Sequence, residues 1–308
     1  MSSDFNLAGR IALVTGGGRG IGRAISEEFA RLGTRVVIAD AGVTIGGDES
    51  DPTVAESLAK ELGGAAYTRD IATPGAAQAA VDLALARFGG IDIVVNAAAI
   101  LRDALIFKSE RASWDRVIET NLSGAFAVLA AATPHMRDAV KAGRPPGRIV
   151  NIISTAGLYG NFGQAAYASA KSGLVGLTRV VAMDMARSKV NCNAVAPFAA
   201  TRVTESIQPA NDAQAAYKAR ALTIPAGYVA RLVAYLSTSG CEATGQVFGV
   251  RGREVFLFAQ PRPVARLVTP SLPDVTMESL DAAIALQMRD DFTDLGTDLE
   301  AFNSEPLL

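Results

Sequence analysis

Apolar residues along the chain form two kinds of run, short β-type stretches and longer helical stripes, and the two alternate. Ile11–Thr15, Arg35–Asp40, Ala65–Arg69, Ile91–Asn96, Arg148–Ser154, Val190–Ala196 and Gln246–Val250 read as strands. The strongest, IDIVVN, is dominated by branched apolar residues, as a parallel strand buried on both faces should be. Between them lie helical patterns: from the glycine turn after Thr15 to about Gly33, then Thr53–Leu62, Thr73–Phe88, Trp114–Val140, Tyr167–Arg187 and Pro225–Leu236. Strands alternating with helices predict an α/β fold, a doubly wound sheet of about seven parallel strands flanked by helices. Residues 1–260 form its one large domain, with Thr201–Pro225 expected as a helical lobe that covers a site. Residues 261–308 are a short C-terminal extension, carrying Pro261, Pro263, Pro270 and Pro273 and then a helix over Met277–Phe292 capped at Thr276. So short a piece is expected to dock on the body or on a partner subunit.

Composition narrows the class. Of 308 residues, 49% are hydrophobic and 19% charged, enough for a sizeable core. Lysine and arginine number 29 against 31 acids, a net charge of −2 with no basic patch, so nucleic acid is not an expected partner. No run reaches about 18 apolar residues, so no membrane span is expected. Two cysteines, Cys192 and Cys241, point to a reducing compartment, and with His135 as the single histidine no metal site is expected. The start, MSSDFNLAGR, lacks the charged and apolar regions of a secretory leader, and the end, EPLL, is not an SKL-type address. A cytoplasmic location is the expectation.

Candidate chemistry begins at the first strand, which runs into Gly16-Gly17-Gly18-Arg19-Gly20-Ile21-Gly22 and a helix. Glycines there let backbone N–H groups approach a diphosphate at a helix N-terminus, the Rossmann-type arrangement. Asp40 closes the second strand, where an acid accepts both ribose hydroxyls and repels a 2′-phosphate, so NAD is favoured over NADP. Arg19 is the counter-argument, since a basic residue in the glycine turn can serve a 2′-phosphate. Asp70, with Ile71 beside it, sits at the end of the third strand, where it can accept from an adenine amino group or cap the next helix. Asn121 is a mediocre helix former inside a long helical pattern and so needs partners or a function. The stretch Ser154–Lys171 then offers a hydroxyl at a strand's carboxyl end, a phenol at Tyr167 and an ammonium at Lys171. Tyr167 and Lys171, four apart, share one helix face. A cation within ~4–6 Å lowers a phenol's pKa, and a second positive charge such as an oxidised nicotinamide adds to the effect.

Together Thr15-Gly16, Gly20, Gly22, Asp70, Asn96, Asn121, Ser154, Tyr167 and Lys171 resemble the short-chain dehydrogenase/reductase family over residues 9–250. The resemblance implies a catalytic set of Asn121, Ser154, Tyr167 and Lys171. It implies cofactor contacts from Gly16, Arg19, Gly20, Ile21, Gly22, Asp40, Asp70, Ile71, Asn96, Tyr167, Lys171, Pro197 and Thr201, and a homodimer or homotetramer built on the two longest helices, with Ala168, Gly173 and Gly176 among their small outer residues. Two departures stand out: Asn96-Ala97-Ala98-Ala99 replaces the family's Asn-Asn-Ala-Gly, and Phe198 follows Pro197 where glycine is usual. The loop after Asp40 and the segments ILRD, YGNFGQAAY and TRVTES are similar to the (3R)-hydroxyacyl-CoA dehydrogenase subgroup found in peroxisomal multifunctional enzymes type 2 and bacterial relatives. This implies NAD-dependent oxidation of a secondary alcohol, a 3-hydroxyacyl-CoA or a hydroxysteroid. Leu158, Phe162, Gln164 and Phe198 are then candidate substrate contacts. An NADPH-dependent 3-oxoacyl-carrier-protein reductase is the neighbouring alternative, and a non-catalytic nucleotide sensor the alternative of another class.

Overall fold

The computed structural model describes residues 3–209, 211–269 and 275–308, so Ala210, Pro270 and Pro273 lie outside the described residues. Strands β1 (Ile11–Thr15), β2 (Arg35–Ala39), β3 (Ala65–Tyr67), β4 (Ile93–Asn96), β5 (Arg148–Ile152), β6 (Asn191–Phe198), β7 (Val247–Arg251) and β8 (Glu254–Phe258) form one sheet. Their order is β3-β2-β1-β4-β5-β6-β7-β8. The first seven are parallel, as the sequence predicts. The eighth, absent from the sequence reading, returns antiparallel along β7, with Arg251 opposite Glu254. Gly252, at φ +58°, takes the turn position that needs a positive φ.

Side chains on each parallel strand alternate between two apolar layers. On β1, Ala12 and Val14 face one cluster and Ile11 and Leu13 the other. The first cluster contains Ile25 and Phe29 of α1 (Gly20–Arg31), residues of α2 (Thr53–Leu62), and Val229 and Val233 near the C-terminal end of the body. The second contains Val81 and Ala84 of α3 (Ala76–Phe88) with Val128, Leu129 and Val181. Helices on both sides explain why strands such as β1 and β4 are apolar on both faces. Full burial of one such side chain, Phe29, contributes about 2–3 kcal/mol.

The helix expected over Trp114–Val140 is two helices, α4 (Arg111–Ile118) and α5 (Gly124–Lys141), joined by a π turn at Glu119–Ser123. Such turns are rare and recur at functional sites. The remaining helices of the body are α6 (Ala156–Tyr159), α7 (Ala165–Asp184), α8 (Arg202–Ser206), α9 (Asp212–Ala221) and α10 (Gly227–Leu236). The chain divides into two units, Met1–Phe258 with Thr297–Leu308, and Ala259–Gly296. The smaller unit holds α11 (Met277–Gln287), capped as expected by Thr276 through a reciprocal capping box with Ser279. The final stretch, with α12 (Asp298–Ala301), belongs to the larger unit. No helix among the described residues is long and apolar enough to cross a membrane, and no cluster of metal-ligating side chains occurs among them.

Candidate active site

The strand order reverses between β1 and β4. In open α/β sheets a ligand cleft forms at that switch, beyond the strands' carboxyl ends. Thr15, Asp40, Asn96, Ser154 and Phe198 all stand at that edge, at or just past the ends of β1, β2, β4, β5 and β6.

The glycine turn after β1 is built for close approach. A Cβ on Gly22 would lie 2.0 Å from the Gly16 carbonyl oxygen, and one on Gly16 would strike the Ala98 backbone at 2.7 Å. Ala97 and Ala98 therefore sit directly over Gly16, held by N–H bonds to the Thr15 hydroxyl at 3.1 and 3.2 Å. Arg19 is the N-cap of α1 yet makes no side-chain cap, which leaves the first-turn N–H groups and the positive end of the dipole to an anion. Thr201 faces this turn, its methyl 3.7 Å from where a Gly20 Cβ would stand. Asp40 accepts from Gly18 N at 2.9 Å and Gly42 N at 2.8 Å, and each oxygen keeps a lone pair for a hydroxyl. The groove thus fits a dinucleotide diphosphate over Gly16–Gly20 with an adenosine ribose at Asp40. Ile21 and Ile71 supply packing, Ile21 on the first apolar cluster and Ile71 in the second. Pro197 pairs with Val250 in the sheet.

Two expected cofactor residues are already engaged. Asp70 accepts from Ala72 N at 2.9 Å and pairs with Arg116 at 2.6 Å. It therefore stabilises the turn ahead of α3, whose N-cap is Gly75. Asn96 donates to Asn151 at 2.9 Å, tying β4 to β5, while its carbonyl oxygen is buried with no partner among the described residues.

The loop that follows Asp40 is marked in the sequence, but its contacts are not explicit there. Val43 O accepts from Arg19 and Arg202, both at 3.3 Å, Ile45 O from Leu101 N at 2.9 Å, and Gly46 O from Arg102 at 2.7 Å. Arg102 also pairs with Asp48 at 2.7 Å. The loop is therefore strapped across the ends of β1 and β4. The segment ILRD carried the signal, because Arg102 beside an acidic, glycine-rich loop is a ready ion-pair partner.

On α7, Tyr167 and Lys171 lie one turn apart, 8% and 2% exposed. The Lys171 ammonium is 5.7 Å from the Tyr167 ring centre and donates to Ile152 O at 2.8 Å. Ser154 follows β5, and its Oγ accepts from Ala156 N at 3.2 Å. Gly157 lets this loop seat on α7, since a Cβ there would come within 2.7 Å of Ser172 N. Asn121, in the π turn, accepts from Ile100 N and donates to Ile100 O, both at 2.9 Å. Its side chain positions the backbone just past β4.

Burial pushes Tyr167 up to about 12, with the Ser154 hydroxyl pulling it down and Asp103 adding to the rise. Burial pushes Lys171 down to about 8. The expected depression of the phenol by the adjacent lysine is therefore not met in the protein alone. Both groups are stripped of water, and the ammonium is aimed at the Ile152 carbonyl and not at the phenol oxygen.

The substrate candidates separate. Phe162 is 81% exposed, and Leu158 is half-buried against Ile153 and its neighbours. Gln164 donates to Asp103 at 2.8 Å. Phe198 is 5% exposed and packs on Phe302 with ring centres 4.7 Å apart.

Comparison with known proteins agrees with this geometry. A family model described as short chain dehydrogenase matches residues 10–214. Peroxisomal multifunctional enzyme A of Dictyostelium discoideum is 37% identical over 250 residues, 80% of this chain, which spans only about half (53%) of that protein's length. The 3-oxoacyl-(acyl-carrier-protein) reductase of Escherichia coli is 35% identical over 258 residues, 80% of this chain and 98% of its own. A crystal structure of a short chain dehydrogenase from Mycobacterium avium aligns over 91% of this chain and 96% of its own, with a TM-score of 0.75 and 34% identity.

Proposed function

We propose a function from one premise: the chain belongs to the short chain dehydrogenase family. It is an oxidoreductase of a fold that binds NAD(P). Within that class our reading is an NAD-dependent dehydrogenase that interconverts a secondary alcohol and a ketone, with a 3-hydroxyacyl thioester or a hydroxysteroid-like molecule as substrate. The observation that carries it is the convergence of Ser154, Tyr167 and Lys171 at the sheet edge that also holds the glycine turn and Asp40.

In the oxidative direction Tyr167 takes the carbinol proton, and Ser154 donates to the reacting oxygen and stabilises charge there. A bound oxidised nicotinamide supplies a hydride acceptor and one positive charge. Bringing a phenol from about 12 to neutrality spans about five units, or about 7 kcal/mol. One cation supplies about 1–3 units. Lys171 is already part of the surroundings that leave the phenol near 12, so an oxidised nicotinamide would add the one further cation and lower the phenol from there. A seated, oxidised cofactor would therefore favour the base form of Tyr167. Asn121 supports a water relay from Lys171. Its side-chain amide is committed to Ile100, so its part in the relay is to hold the backbone beside the site.

A panel of CoA thioesters, hydroxysteroids and simple secondary alcohols, followed by NAD reduction at saturating cofactor, tests the reading. Turnover confined to alcohols unrelated to thioesters and steroids overturns the substrate class. The second reading, an NADPH-dependent 3-oxoacyl-carrier-protein reductase, draws support from Arg19 and Arg202 meeting at Val43 O near Asp40. Asp40→Asn decides between them, because it removes the charge while keeping an acceptor for Gly18 N. Relative kcat/KM for NADP over NAD is expected to rise about tenfold to a hundredfold. An unchanged ratio removes Asp40 as the selector.

The expected homodimer or homotetramer uses the outer faces of α5 and α7, where Phe126, Val180 and Met183 are 58%, 53% and 68% exposed. Gly173, by contrast, packs within the chain, where a Cβ would meet Leu122 at 2.8 Å. Light scattering should give twice or four times 31.9 kDa, falling to the monomer in Val180→Asp. A monomeric wild type rejects the interface.

A further inference from the structure

Ser154 and Tyr167 fix where a reacting oxygen sits. The end segment of the chain borders the space beyond it. Thr155, buried and next to Ser154, donates its hydroxyl to Asp298 Oδ2 at 2.6 Å. The phenol of Tyr217, on α9 of the covering lobe, donates to the same oxygen at 2.9 Å. One carboxylate, well over a hundred residues downstream in sequence, thus latches the serine loop to the lobe. Phe302 follows one helical turn later, its N–H bonded to Asp298 O at 2.9 Å, so the two side chains share a face.

The Phe302 ring lies against Phe198 at 4.7 Å and Phe256 at 5.2 Å, and edge-on to Tyr159 at 6.5 Å. Tyr159 ends α6 just after Ser154, and Phe198 ends β6. Phe302 therefore fills the corner between those two elements. The cavity left among Phe198, Tyr217, Arg251 and Phe302 is about 10 Å³, space for one water at most. The segment is also anchored beyond the ring. Arg251, 4% exposed, donates to Ser304, and Arg220 donates to Asn303 at 2.7 Å. Phe198, nominated from sequence, is capped by a residue far from it in the chain.

We propose that Phe302 is the end wall of the substrate space and sets the longest group accepted beyond the reacting carbon, with Asp298 as the latch that holds the wall in register. This rests on the reading that the cleft oxidises a secondary alcohol. Phe302 and Asp298 are positioning residues and take no part in proton or hydride movement.

The test is kcat/KM with NAD for 3-hydroxyacyl-CoA thioesters of increasing acyl length, and in parallel for simple secondary alcohols of increasing length. Wild type, Phe302→Ala, Phe302→Leu, Asp298→Ala and Asp298→Asn are compared after thermal melting confirms that each is folded. Phe302→Ala is expected to raise the ratio of long to short substrates roughly tenfold or more, with Phe302→Leu between it and wild type. Asp298→Ala is expected to raise KM with kcat little changed, and Asp298→Asn, which keeps an acceptor for both hydroxyls, to restore it. A folded Phe302→Ala protein whose activity changes equally at all lengths, or not at all, overturns the wall. If only the alcohol series responds, the wall stands and the thioester reading fails. If wild type turns over neither series, no substrate space exists for Phe302 to bound, and the inference falls.

Discussion

Tyr167→Phe is expected to lower kcat by at least about 10²–10⁴, the range for loss of a general base, with NAD affinity changed by less than about threefold. The phenol oxygen lies within hydrogen-bond reach of Ser154 and so is placed to take the proton while Ser154 holds the oxygen. The ring itself is packed among Ile100, Val117 and Ala166, and phenylalanine keeps that packing. Removing a hydroxyl that burial already holds in its neutral form costs little stability. Steady-state turnover and cofactor binding followed by quenching of protein fluorescence separate the two quantities. A variant that loses binding and turnover in parallel would place Tyr167 in cofactor retention and leave the proton without a base.

Lys171→Met is expected to do two opposite things: turnover falls by a similar factor while the cofactor-free protein becomes more stable. At neutral pH the lysine is charged in the unfolded chain and charged but desolvated in the folded one. Its folded pKa, about 8, lies below its ordinary 10.5, so the folded state binds protons less readily. The penalty is fully present below pH 8 and is relieved as pH rises from 8 to 10.5. It amounts to about 3 kcal/mol, against about 1.5–3 kcal/mol for the lost charge-assisted bond to Ile152 O. The variant should therefore melt slightly higher at pH 7, with the gap to wild type closing toward pH 10. A variant less stable than wild type at pH 7 would mean the ammonium is not strained by burial. A site that stores such strain is one the cofactor's ribose hydroxyls can relieve on binding.

The parallel sheet was legible because most strands are short apolar runs bounded by glycine or an acid, and both cofactor-side ends, Thr15 and Asp40, are marked by residue type. β8 was missed because its residue types do not follow its alternation: Val255 and Leu257 are apolar yet exposed, while Glu254, Phe256 and Phe258 are half-buried. The Arg251-Gly252-Arg253-Glu254 turn was the available signal. The π turn was invisible because helical periodicity continues on both sides of it, and only the misplaced Asn121 hinted at a break. Asp298 and Phe302 escaped for another reason. Their partners, Thr155, Tyr217 and Phe198, lie far away in the chain, and no local pattern encodes a contact of that range. The same gap explains the misjudged phenol. Spacing placed a cation beside Tyr167, but how deeply both groups would be buried, and where the ammonium would point, was known only once α7 had packed on β5.

The central claim is that an oxidised cofactor, seated beside Tyr167, favours the base form of the phenol. Ultraviolet difference titration of wild type against Tyr167→Phe, with and without saturating NAD, reads that ionisation directly. The phenol should ionise near pH 12 in the protein alone and about one to three units lower with NAD bound. The same midpoint in both states would contradict the account.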